Sequence, residues 1–252
     1  MKKNVNNTLL KKFLLQSINK KNTPYINYKN DCNFHKDGFG FAWKNKINNN
    51  WNLYKNENCF DKEKNINTII NNINKNDIVI GHLRSICKNI PFNKNYFNTH
   101  PFKFNQNIWC HNGSISNFNQ FKIINRNTIS NKYYNLIKGQ TDSEYLFYLF
   151  ISLLKNDTYD EIINTTIKFF DILVKFESSI SCNIIFANQK YVLITRYINH
   201  DTECPSLYYS SKNQIISSEP LTNDFEVFEN HSAILFNYNL NKIISKINIK
   251  NF

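Results

Sequence analysis

The sequence predicts an α+β fold made of two sheets with helices packed outside them. Three observations carry that expectation. Strand-like segments occupy the early and the late parts of the chain, two amphipathic helices stand side by side between them, and no repeating βαβ series runs through the sequence. A length of 252 residues with 41% hydrophobic and 15% aromatic content is enough to fill the core of one large domain, 1–252.

Taken in order, residues 39–44 (FGFAWK) and 51–55 (WNLYK) read as short strands joined by the asparagine-rich turn NKINNN. Isoleucines at helical spacing in NINTIINNINKN predict a helix, and DIVIGHLR (77–84) is apolar enough for a buried strand. The run NIWCHNGSISNF (107–118) is strand-like up to His111-Asn112-Gly113. An Asn-Gly pair there reads either as a type I′ hairpin turn or as a pair of aimed hydrogen-bond donors. The SISNFNQF that follows has no clean alternation, so such a turn would lead to no partner strand.

TDSEYLFYLFISLLKN predicts a helix with Leu146, Phe147, Leu149, Phe150, Leu153 and Leu154 on one face and a capping box from Thr141 and Glu144. TYDEIINTTIKFFDILVKF predicts a second helix, with Ile162, Ile163, Ile167, Phe170 and Leu173 or Val174 inward. SISCNIIFAN, KYVLITRY, SLYYS, NQIISSE and SAILFNY then read as strands.

A formal net charge of +12 raises the question of nucleic acid as a partner. The lysines are spread among asparagines and isoleucines, and no zinc finger, RRM signature or arginine-rich tract accompanies them. The charge therefore reads as a solvated basic surface. No stretch approaches the length of a membrane span, and the basic start MKKNVNNTLLKKFLLQS lacks the apolar stretch and cleavage site of a secretory signal. Six cysteines without a C-x-x-C pair argue against a zinc site or a dense disulfide framework. The expectation is a cytoplasmic protein with reduced thiols, no metal, no cofactor and no membrane or nucleic-acid partner.

Four stretches matter together: DGFGFAW (37–43), GHLRS (81–85), NTHPF (98–102) leading into WCHNGSISNF, and GQTDSEYLF (139–147). Their ordered set resembles the class II glutamine amidotransferases of the N-terminal-nucleophile hydrolase superfamily. The likeness is greatest to small stand-alone members such as the amidotransferase subunit of the glutathione-degrading Dug complex and the γ-glutamyl hydrolase of ergothioneine synthesis. TRY (195–197), SLYY (206–209) and SSEPLT (217–222) agree with it, so the resemblance runs from about Gln16 to Asp224. It implies a four-layer αββα sandwich of two antiparallel sheets with helices outside, here lacking the first strand.

The resemblance also implies roles. Hydrolysing a γ-glutamyl amide needs a grip on an α-carboxylate, a grip on an α-ammonium, donors for the tetrahedral oxyanion, and a nucleophile. Arg84 would take the carboxylate with its bidentate, permanently charged fork; read alone, it is a surface Arg at a strand end. Asp142 would take the ammonium, although an Asp in a first helical turn is favoured by about 0.3–1 kcal/mol with no ligand at all. Asn112, through its side-chain amide, and Gly113, through its backbone N–H, would form the oxyanion hole. Cys87 stands where the family has a hydroxyl beside the bound carboxylate, and a thiol is the weaker donor. His100 and His111 read as structural hydrogen-bonding groups near the site.

The family's nucleophile is an N-terminal cysteine whose own α-amine serves as base. Here Lys2 follows Met1 and the first cysteine is Cys32, so no nucleophile is found; Cys87 and Cys110 lie beside site residues but bring no free amine. Two readings follow. One is a glutaminase or γ-glutamyl hydrolase with an upstream start, and the other is a non-catalytic glutamine or γ-glutamyl binding subunit partnered with a peptidase-like protein.

Overall fold

The computed structural model describes residues 7–18, 35–45, 47–73, 78–86, 94–199 and 205–249; Cys87 lies outside the described residues. In chain order the elements are α1 (Asn7–Leu15), β1 (Phe39–Lys44), β2 (Trp51–Asn56), α2 (Ile66–Ile73), β3 (Val79–Leu83), β4 (Phe102–Phe104), β5 (Asn107–Ile115), α3 (Phe118–Ile124), α4 (Asn131–Tyr134), α5 (Asp142–Leu153), α6 (Tyr159–Val174), β6 (Ile180–Ala187), β7 (Tyr191–Arg196), β8 (Tyr208–Ser210), β9 (Ile215–Ser217), β10 (Glu226–Val227), β11 (Ser232–Asn237) and β12 (Lys242–Asn248). The fold is α+β with antiparallel sheets. The chain divides into two compact units, Met1–Ile108 with Ser206–Phe228, and Trp109–Pro205 with Glu229–Phe252. No helix among the described residues is long and apolar enough to cross a membrane.

In the first unit β1 is the middle strand of the order β2-β1-β3. Phe41 faces Tyr54 on one neighbour and Gly81 on the other. Its core joins Leu10 and Leu14 of α1, Phe39 and Phe41 of β1, and Ile69, Ile70 and Ile73 of α2. A Cβ on Gly40 would run into the carbonyl oxygen of His100, which explains the small residue between two phenylalanines. Helix α1 is a correction: the start of the chain reads as merely basic, yet Leu10, Phe13 and Leu14 recur at helical spacing and Phe13 meets Phe41 edge-on at 5.9 Å. The strands β8, β9 and β10 form a small sheet in the order β10-β8-β9.

In the second unit the strands follow the order β12-β11-β7-β6-β5, with β5 belonging to it from Trp109 onward. Register places Phe186 opposite Leu193 and Leu193 opposite Leu235, one apolar row across three strands. Trp109, fully buried, packs against Phe147 and Phe150 of α5 and Phe169 of α6 at centroid distances of 6.0, 5.5 and 6.0 Å. Phe150 also meets Phe186 of β6 at 4.9 Å, so both helices lie on the sheet.

Three local expectations change here. Helix α5 is buried all round from Ser143 to Ile151, not along one face. Helix α6 turns Thr165, Thr166 and Phe169 inward, while Ile163 and Ile167 are half-buried. Thr166 is tolerated there because its hydroxyl donates to the Ile162 carbonyl at 2.7 Å. The capping box is half-formed: Thr141 Oγ1 accepts from Glu144 N–H at 3.3 Å, but the Glu144 carboxylate accepts instead from the amides of Lys138 and Gly139.

Candidate functional site

Strand β5 does not end at Asn112-Gly113; it runs on to Ile115, so the hairpin-turn reading is out. Gly113 sits in the strand because a side chain would not fit: an added Cβ would run into the Ser181 carbonyl of β6 and stand 2.7 Å from His111 Nε2. Asn112 is exposed, and its side-chain amide has no hydrogen-bond partner among the described residues. Two residues on, the Ile115 N–H donates to Asp142 Oδ2 at 2.9 Å. That bond ties the end of β5 to the first turn of α5, which places Asn112, Gly113 and Asp142 in one neighbourhood of the second unit.

Asp142 is held from its own helix as well. Its Oδ1 accepts from the Ser143 N–H at 2.7 Å. Two backbone donors fix the carboxylate, while two oxygens with about four lone-pair sites leave acceptor capacity for a ligand. The helix N-terminus adds its positive end to the same position.

Behind this pair lies His111, 2% exposed. Its Nδ1 is 2.9 Å from Ser143 Oγ and its Nε2 is 3.2 Å from the Ser181 carbonyl. Burial pushes the imidazole below its ordinary pKa, with the Asp142 charge and the Ser181 carbonyl pulling the other way. His111 is thus a hydrogen-bonded structural histidine. His100, in the first unit, stacks on His82 at 4.1 Å and meets Phe102 edge-on at 4.7 Å.

Arg84 belongs to the first unit, just past β3. Its backbone exchanges bonds with the Asp37-Gly38 segment, Asp37 N–H to Arg84 O at 3.0 Å and Arg84 N–H to Gly38 O at 2.8 Å. The side chain is buried at 6% exposure and is no surface arginine. Among the described residues the guanidinium makes one hydrogen bond, Nη1 to the Asp37 carbonyl at 3.4 Å. The Asp37 carboxylate is engaged elsewhere, accepting from Ile86 N–H at 2.8 Å and pairing with Lys94 at 3.2 Å. Burial lowers the Arg84 pKa, only partly offset by the Asp37 charge. A buried fork with five donors and one long bond is suited to an incoming carboxylate.

Sequence reasoning gave no role to Ser143, Ser181 or Asp37. Asp37 and Ser143 lie inside quoted motifs, but the partners that give them meaning are 47 and 32 residues away. Among the described residues no cluster of His, Cys, Asp and Glu could hold a metal ion.

Comparison with known proteins bears on this arrangement. A sequence model of the class-II glutamine amidotransferases matches residues 16–203. The probable glutamine amidotransferase DUG3 of Saccharomyces cerevisiae is 38% identical over 86 residues, which is 34% of this chain and 23% of that protein, so the match spans under a quarter of the relative's length. Among solved structures, a glutamine aminotransferase class-II domain protein from Silicibacter pomeroyi is similar with a TM-score of 0.61 and 21% identity, over 84% of this chain and 91% of the other. A glutamine phosphoribosylpyrophosphate amidotransferase from B. subtilis is similar with a TM-score of 0.58 and 13% identity, over 96% of this chain and 46% of that one. At such identities the structural likeness is one of fold.

Proposed function

Since the chain belongs to the class-II glutamine amidotransferases, we propose that it recognises a γ-glutamyl amide, either glutamine itself or a related γ-glutamyl compound. The observation that carries this reading is the Ile115–Asp142 bond at 2.9 Å, which sets an anchored carboxylate beside the strand end bearing Asn112 and Gly113. The likeness to that family, rather than any observed proximity, assigns the ligand's α-ammonium to Asp142 and its α-carboxylate to Arg84. The Asn112 amide and the Gly113 N–H face the amide carbonyl, where loss of one such donor costs about 2.7–4 kcal/mol of transition-state stabilisation in hydrolysing enzymes. The same likeness would make Cys87, which lies outside the described residues, a weak donor to that carboxylate.

Turnover needs a thiolate. The free cysteines among the described residues, Cys59, Cys110 and Cys182, are buried, whereas a reactive thiolate sits in a partially exposed, electropositive setting. The site would serve either hydrolysis of the bound amide, given a cysteine nucleophile, or binding without turnover, as a subunit partnered with a peptidase-like protein.

Calorimetry tests the reading. Glutamine and γ-glutamyl dipeptides should bind the native chain, and binding should be lost in Arg84→Ala and Asp142→Asn but kept in Lys190→Ala. Removing one partner of a desolvated charge pair costs about 2–5 kcal/mol, roughly 30- to 4,000-fold in affinity. Intact mass after incubation with an electrophilic glutamine analogue should show no stoichiometric adduct. A native chain that ignores γ-glutamyl ligands at millimolar concentration sinks the recognition reading, and an adduct on Cys87 or Cys110 sinks the non-catalytic one.

A further inference from the structure

We propose that His111 and Ser143 are positioning residues for Asp142, joined in a one-way hydrogen-bond chain that keeps the serine hydroxyl turned away from the carboxylate. This rests on the reading of Asp142 as the acceptor for the ligand's ammonium. The direction of the chain follows from what each atom can do. The Ser181 carbonyl can only accept, so His111 Nε2, 3.2 Å away, carries a proton. In a neutral imidazole that leaves Nδ1 bare and able only to accept. Ser143 Oγ, 2.9 Å from Nδ1, then spends its single proton there.

Asp142 Oδ1 lies 3.2 Å from the same Ser143 Oγ and gets no hydroxyl proton in this state. In this state the Ser143 and Ile115 amides hold the carboxylate, and the Ser143 hydroxyl, also within hydrogen-bond distance of Oδ1, gives it a proton only when the chain reverses. Its remaining lone pairs are open to a cation.

Protonating Nδ1 reverses the chain. Nδ1–H then donates to Ser143 Oγ, and the hydroxyl turns its proton to Asp142 Oδ1. An imidazolium and a hydroxyl donor would both compete with the ligand's ammonium for one carboxylate. Burial opposes that state, since it holds the imidazole below its usual pKa. Among the described residues the groups that act on the ring are the Asp142 carboxylate on α5 and the Ser181 carbonyl on β6, and both favour protonation. Glu144 on α5 directs its carboxylate to the Lys138 and Gly139 amides. The sign is therefore fixed: the ammonium site is at full strength above the His111 pKa and weakens as pH falls through it.

Two measurements decide the proposal. Imidazole nitrogen NMR of the free 252-residue chain, with His111 assigned from the spectrum of His111→Gln, should show the Nε2–H tautomer at pH 7 and a titration midpoint below 6.5. Calorimetry with glutamine between pH 5 and 7.5 should show affinity falling on the order of tenfold through that midpoint, the worth of one hydrogen bond to a charged group. Ser143→Ala removes the relay and should move the midpoint to lower pH, whereas Ser143→Thr, which keeps a hydroxyl, should restore it. An Nδ1–H tautomer at neutral pH, or a profile that Ser143→Ala leaves in place, overturns the proposal. A native chain that binds no glutamine at pH 7.5 fails the recognition reading and takes the positioning role with it, while the tautomer spectrum still separately judges the chain of hydrogen bonds.

Discussion

At the scale of single residues, the least replaceable position near the site is Gly113. Its missing Cβ makes room for the Ser181 carbonyl, a backbone atom that cannot rotate aside. Gly113→Ala should therefore push β5 away from β6 and destabilise the chain by about 1–3 kcal/mol, the usual range for overpacking. Urea denaturation midpoints measure it, and a midpoint equal to that of the native chain would show that the strands yield at no cost. The sequence makes Asn112-Gly113 visible but leaves its backbone open, because an Asn-Gly pair is also the strongest short hairpin signal. The continuing strand is set by what lies across it, the Asp142 bond to Ile115 and the Ser116 N–H bond to Ser179 O at 2.8 Å, neither of which is local in sequence.

At the scale of elements, α5 is the piece that delivers Asp142. Thr141 caps it through the Glu144 N–H, and Glu144 in turn fastens the preceding loop. Thr141→Ala should cost about 1 kcal/mol, a typical loss for an N-cap, and Thr141→Ser should recover most of it. A thermal melt in which both variants coincide with the native chain would mean that burial alone holds the helix start. The existence of α5 and α6 is legible from their apolar spacing, but their facing is not. Helix α5 is covered on every side, and α6 buries two threonines that satisfy their own hydroxyls, so a one-face pattern describes neither. The terminal elements escape the sequence for related reasons: α1 is short and lysine-rich, and lysines interrupt the apolar pattern of β12, the last strand in its sheet order.

At the scale of the whole molecule, the aromatic core makes stability a function of alkaline pH. Burial pushes Tyr145, Tyr148 and Tyr197 up to about 12, and Tyr238 is pushed up as well. In the unfolded chain these phenols ionise near pH 10. Between the two values the folded chain binds more protons, so the stability is intact below about pH 10 and is lost as pH rises towards 12. Stopped alkaline titrations should show a late tyrosinate step that coincides with loss of near-ultraviolet circular dichroism; a late step with the signal intact would detach these phenols from unfolding. The class of fold is legible in the sequence because the strand and helix periods are clear in its middle and late segments. The site is legible through the order of four motifs, which fixes Arg84, Asn112, Gly113 and Asp142 as candidates, whereas the His111–Ser143 link joins residues 32 apart and leaves no local trace.

The tie between β5 and α5 has a use beyond holding the carboxylate in place. The Ile115 amide hydrogen is guarded by a side-chain oxygen of Asp142. Its exchange with deuterated solvent therefore runs on a clock set by that one carboxylate: whatever draws Asp142 towards itself loosens the guard, and whatever locks it slows the clock. A single backbone hydrogen, followed by mass or resonance without any label on the ligand, becomes a gauge of whether the carboxylate is occupied.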